Sequence, residues 1–118
     1  MNTTIKWVTI PHWLTAGFVG LSRANGLIRF RLKGETMFLG HAAKGGLGAR
    51  IGAYRRGKGT GQNYHAARMI HQHRTEVEVQ IAVMDKPADE ILRLFNTKLK
   101  ERVPEWNVPN GHWRVAKI

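Results

Sequence analysis

Cysteine is absent from the 118 residues. That excludes disulfides and any zinc site built on thiolates. Carboxylates are scarce: eight Asp and Glu stand against nineteen Lys and Arg, for a formal charge of +11. The scarcity is also local. Between Glu35 and Glu76, forty residues carry no carboxylate, while Lys44, Arg50, Arg55, Arg56, Lys58, Arg68, Arg74 and four histidines fall inside the gap. No run of about 18 apolar residues occurs, so no membrane span is expected. The opening Met1-Asn2-Thr3-Thr4-Ile5-Lys6-Trp7 lacks the basic-then-apolar layout of a secretory leader. Together with the missing cysteine, this points to the cytoplasm.

What is present fits one folded domain over 1–118. Apolar residues make up 42% of the chain, too many for a disordered basic tail. The charge is lopsided. Residues 1–75 hold twelve Lys and Arg against one Glu, whereas residues 76–118 hold seven of each sign. A basic half joined to a neutral half suggests a surface for a polyanion, with nucleic acid, DNA above all, as the expected partner. The plainer alternative is a basic protein whose charge only keeps it dispersed.

Thr75–Met84 reads as a strand, because Val77, Val79, Ile81 and Val83 alternate with Glu76, Glu78, Gln80 and Ala82. Leu27–Lys33 alternates too, with Ile28, Phe30 and Leu32 opposite Arg29, Arg31 and Lys33. Gly34-Glu35 is a plausible turn into a returning strand over Thr36–Gly40. Leu47, Ile51 and Tyr54 lie at helical spacing within 46–56, despite the surrounding glycines. A second helix is expected over 63–74, capped by Asn63, with Ala66, Met69, Ile70 and His73 on one face. After Pro87, the acids Asp89 and Glu90 and the stripe Ile91, Leu94, Phe95 and Leu99 predict a third helix, which Pro104 ends. The expected fold is α+β: a small three-stranded antiparallel-type sheet flanked by helices, in the order β-β-α-α-β-α. An apolar extension over 1–25 precedes the core over 26–107, and a tail over 108–118 follows.

Gly26-Leu27-Ile28 and Phe38-Leu39-Gly40, whose first residues are twelve apart, resemble the paired tripeptides of the GIY-YIG nucleases. Arg50, with Tyr54 one helical turn later, resembles the family's helical arginine and the Tyr or His that follows it. Pro104-Glu105-Trp106-Asn107 resembles its closing Pro-x-x-Asn. The element order agrees from residue 26 to 107. The resemblance implies a phosphodiester-cutting domain whose central groups are two tyrosines and a glutamate: a tyrosine, or a water near it, attacks or relays a proton at the scissile phosphate, the glutamate holds a divalent metal, and the arginine steadies phosphorane charge.

The departures from that pattern are severe. Ile28 stands at the first tyrosine position and Phe38 at the second. Counting back from Asn107 by the family's spacing puts Phe95 where the metal-holding glutamate belongs. Hydrocarbon neither relays a proton nor holds Mg²⁺, which needs oxygen ligands. Were catalysis to survive, Mg²⁺ would be the implied cofactor, with Glu90 as substitute ligand and Arg50, Tyr54 and His41 as the working groups. Otherwise Glu90 is a first-turn acid favoured by the helix dipole, and Tyr54 is a core-edge residue.

Three functions remain open. The first is a nucleic-acid-binding domain that has lost catalysis, with Arg29, Arg31, Lys44, Arg50, Arg55, Arg56, Lys58, Arg68 and Asn107 as contact residues. The second is a metal-dependent endonuclease with relocated groups. The third is an inhibitor or adaptor directed at a DNA-processing protein, anchored by any exposed tryptophan among Trp7, Trp13, Trp106 and Trp113. His65, His71 and His73 crowd one helix, and a titratable basic face suits them better than a metal site. The glycines of 57–61 let backbone N–H groups approach a phosphate, although the Walker spacing is missing.

Overall fold

Alternating side chains in the central strands divide the molecule into layers. In β2 (Gly26–Leu32), Ile28 and Phe30 turn to one face and Leu27 to the other. Strand β2 lies between β3 (Glu35–Ala42) and β4 (Glu78–Val83), antiparallel to both. The computed structural model, which describes residues 5–17, 19–21, 23–57 and 64–108, adds β1 (Val8–Ile10) beyond β4. The sheet order is β1-β4-β2-β3. The sheet therefore has four strands, not the three expected. The additional one comes from the N-terminal extension, where Val8 sits opposite Ile81 and Ile10 opposite Val79. Three alternating residues inside an apolar stretch are too short a pattern to separate from their surroundings.

Helices α1 (Leu47–Arg55) and α2 (Tyr64–Gln72) supply the main core, in which Leu47, Ile51, Ala66 and Ile70 meet Ile28, Phe30, Val79 and Ile81. Helix α3 (Ala88–Glu101) packs on the other face, where fully buried Ile91 joins Leu27 and Ala82. All three helices fall where the sequence spacing predicts them. In the main core, Trp13, Phe38 and Tyr54 pack edge-to-face with other rings: Trp13 on Phe30, and Tyr54 on both Phe30 and Phe38. Such pairs add to the area they bury. The Trp13 indole N–H also donates to the Arg74 carbonyl at 3.1 Å, tying the N-terminal segment to the end of the α2 region.

Two local departures from expectation have steric causes. The β2–β3 turn is Lys33-Gly34 rather than Gly34-Glu35. Both residues have positive φ (52° and 82°), and Leu32 pairs with Glu35, as a two-residue I′ hairpin requires. Phe30 pairs with Phe38 but Arg31 with Thr36, so Met37 is the extra residue of a bulge. Val83 was expected inward and is 57% exposed. Its cross-strand neighbour is Gly26, which offers no side chain, and β1 begins only opposite Ile81. Gly26 itself permits close strand approach, since a Cβ there would run into the Ala82 carbonyl.

Lys58, the cap expected at Asn63, most of the 57–61 glycine loop and residues 109–118 with Trp113 lie outside the described residues.

Candidate functional site

Strand β3 forms one edge of the sheet, and its backbone there is paired by a side chain. After Pro104 the chain makes a 3-10 turn over Glu105–Asn107. Asn107 Oδ1 accepts from the Leu39 N–H at 2.9 Å, and its Nδ2 donates to the Leu39 carbonyl at 2.8 Å. Buried Trp106 anchors the turn by stacking on His73, with ring centroids 5.4 Å apart.

Beside this edge opens a cavity of about 700 Å³. Phe38 and His41 reach it from β3, Arg50 and Tyr54 from α1, and Phe95, Asn96, Leu99 and Lys100 from α3, with Asn107 also in its wall. Gly40 keeps the wall thin: a Cβ there would stand 2.8 Å from the Phe38 ring and 3.2 Å from Ile28. One turn of helix separates Arg50 from Tyr54, so both side chains project from the same side of α1.

The electrostatics follow from these neighbours. The Arg50 guanidinium lies beside the Tyr54 hydroxyl, near enough for its charge to act on it. Burial pushes the Tyr54 pKa up, and the adjacent Arg50 guanidinium opposes that. Tyr54 is therefore a protonated donor at neutral pH. Burial also lowers the pKa of His41, and the Arg50 charge lowers it further. The imidazole is neutral at pH 7, sits edge-on to Phe95 at 4.7 Å, and has a buried Nδ1 without a hydrogen-bond partner. Arg50 and Lys100 are the cations of the described lining, and no carboxylate accompanies them. Such a wall suits an anion. It does not fit Mg²⁺, whose protein ligands are oxygens and usually carboxylates. Among the described residues, no group of three or more His, Asp or Glu could hold a metal.

No protein-family model, curated protein or solved structure matches this chain.

The site's geometry brings together Arg50, Tyr54, His41 and Asn107 of the expected site residues. Phe95, at the counted position of the glutamate, shares their cavity. Ile28 does not line it and is fully buried in the main core. Glu90, the expected metal ligand, is also absent from the lining. It is exposed in the first turn of α3, 3.8 Å from Lys86.

The other expected contact residues are dispersed. Arg29 and Arg31 are tied to the sheet: Arg29 Nε donates to Gln80 at 2.7 Å, and Arg31 lies 3.5 Å from Glu78. Burial, then the charge of Arg31, lowers the Arg29 pKa, and Glu78 works the other way. Arg55 donates to the Ala16 carbonyl at 2.8 Å. Lys44, Arg56 and Arg68 are exposed on and around α1 and α2.

Sequence reasoning missed Asn96 and Lys100. They lie in the charge-balanced half of the chain, where nothing draws attention to one lysine. The available signal was their i, i+4 spacing beside the Phe95–Leu99 stripe. Among the described residues, no helix is long and apolar enough to cross a membrane.

Proposed function

We propose that this chain is a nucleic-acid-binding domain with a GIY-YIG-like frame whose nuclease chemistry has been lost. The observation that carries it is the cavity that gathers Arg50, Tyr54, His41 and Phe95, with two cations and no carboxylate in its described lining. Arg50 presents a fork of N–H donors suited to a phosphate, and the Tyr54 hydroxyl lies beside it in the same cavity wall. The acid-free stretch of the sequence that contains α1 and α2 adds further positive charge to the domain, which raises local polyanion concentration. Phe95 puts a ring where the resemblance calls for a metal-holding carboxylate. DNA is the partner expected from this charge pattern. The test is binding of duplex DNA with a chelator present, at low and at raised salt. Tight low-salt binding that weakens as salt rises is the expected result, and no binding at low salt contradicts it.

One observation favours a second reading. Tyr54 and His41 share the cavity with Arg50, which is the arrangement a relocated proton relay would need. That enzyme would cut DNA when Mg²⁺ or Mn²⁺ is added and would lose cleavage in Arg50→Ala.

A further inference from the structure

A second hollow, of about 640 Å³, opens on the α3 face of the sheet. Trp7 and Arg29 line it together with Lys98 and Arg102 from the end of α3. The Arg29 guanidinium lies over the Trp7 ring, 4.2 Å from its centroid. Three strands or their flanks hold this pair. Arg29 Nε donates to Gln80 Oε1 at 2.7 Å, and Gln80 Nε2 donates to Thr9 Oγ1 at 3.0 Å. Flat groups fixed in this way cost a ligand little ordering on binding. The described lining carries Arg29, Lys98 and Arg102 against a single carboxylate, Glu35. Glu35 lies 3.4 Å from Arg102, and both side chains are more than half exposed. An exposed pair of that kind is weak and yields readily to a phosphate.

We infer that the hollow is a stacking site for a base of single-stranded nucleic acid, with the indole–guanidinium pair as its platform and Lys98 and Arg102 as contacts for the flanking phosphates. It rests on the nucleic-acid reading above and adds a base-directed site that the Arg50 cavity does not supply. A flat π-surface beside spaced anions is what a nucleotide in an unpaired strand offers. In a duplex the bases are stacked inside and do not reach the indole. An acidic peptide would satisfy the cations but leave the ring pair unused. Leu39 lines both hollows, and the last turns of α3 run between them, presenting Lys100 to one and Lys98 and Arg102 to the other. One strand crossing this end of α3 reaches both.

The test compares a short oligothymidylate with an abasic strand of equal length and charge, while the Trp7 indole N–H signal is followed by NMR. Oligothymidylate should bind about tenfold more tightly per stacked base and should shift the Trp7 signal, which the abasic strand leaves in place. Trp7→Leu should erase the preference without weakening the abasic strand. If that variant fails to fold, the wild-type comparison stands by itself. Lys98→Gln with Arg102→Gln, both on the exposed end of α3, should weaken both strands. Equal binding of the two strands, or an unmoved Trp7 signal in a bound complex, overturns the stacking site and leaves phosphate binding at Arg50 intact. Polyglutamate that moves the Trp7 signal as far as oligothymidylate does also overturns it. No binding of either strand at low salt overturns the stacking site, and no binding of duplex DNA under the same conditions overturns both proposals.

Discussion

The side chain of Asn107 serves as a strand partner for Leu39, exchanging two hydrogen bonds of 2.9 and 2.8 Å with its backbone. An edge strand otherwise presents unpaired N–H and C=O groups. Here a single amide satisfies one residue's pair of them and fixes the turn that carries Trp106. Asn107→Ala should cost about 1–2 kcal/mol of stability, since each such bond is worth roughly 0.5–1.5 kcal/mol net. Urea unfolding measures the loss, and hydrogen exchange should show the Leu39 amide losing protection selectively. An unchanged exchange rate at Leu39 would remove the strand-partner role.

Gly40 is required by its neighbours. A methyl group there meets the Phe38 ring at 2.8 and 3.0 Å and Ile28 at 3.2 Å. The ring has little room to retreat, because Tyr54 packs against it with centroids 5.3 Å apart. Gly40→Ala should destabilise the fold by about 1–3 kcal/mol, the usual range for overpacking. On a Phe38→Leu background the same substitution should cost less, and a double-mutant cycle reads that coupling.

His41 should titrate below the ordinary histidine value of about 6.5, because burial and then the Arg50 charge disfavour the imidazolium. Arg50→Gln should raise that pKa, as should any phosphate bound at Arg50. The consequence for stability has a definite sign. Between the folded and unfolded pKa values the unfolded chain binds more protons, so stability falls as pH drops from about 6.5 to the folded value. Above that window the contribution of His41 is fully present. His41→Gln should flatten this part of the pH–stability curve. NMR titration of the imidazole checks the pKa, and a value above 6.5 would contradict the environment described.

Much of this arrangement was legible in the chain, and the rest depended on partners distant in sequence. The alternation of Val77, Val79 and Ile81 with Glu78 and Gln80 identifies β4, because half-buried strands obey a period of two. Leu47, Ile51 and Tyr54 identify α1 through glycines that lower helix propensity, because packing outweighs propensity. Arg50 and Tyr54 follow from that helical phase, and so does their common side. Strand β1 escaped notice because three residues carry too little periodicity. Arg29 read as a nucleic-acid contact residue, and its tie to the sheet was hidden because its hydrogen-bond partner Gln80 is fifty-one positions away. The role of Asn107 was hidden for the same reason, although its position was visible. Glu90 shows the limit of counting: the helix was found, but its phase turns that carboxylate away from Arg50's cavity.

Tyr54→Phe separates binding from catalysis. The hydroxyl shares the cavity wall with Arg50, so its loss removes a donor from the anion-binding wall and should weaken DNA binding while the fold is kept. Under the binding reading, wild type shows no Mg²⁺-dependent cleavage for this change to remove. Cleavage by wild type that Tyr54→Phe abolishes would instead assign the hydroxyl to a proton relay.

The most direct measurement is the salt dependence of DNA affinity for wild type and Arg50→Ala, made in chelator and repeated with Mg²⁺ under conditions that would reveal cleavage. The account predicts binding that weakens linearly on a log–log salt plot, with a slope about one phosphate contact shallower in Arg50→Ala. It also predicts intact DNA with Mg²⁺ present. Affinity that ignores salt, equal slopes for the two proteins, or Mg²⁺-dependent cutting would contradict it.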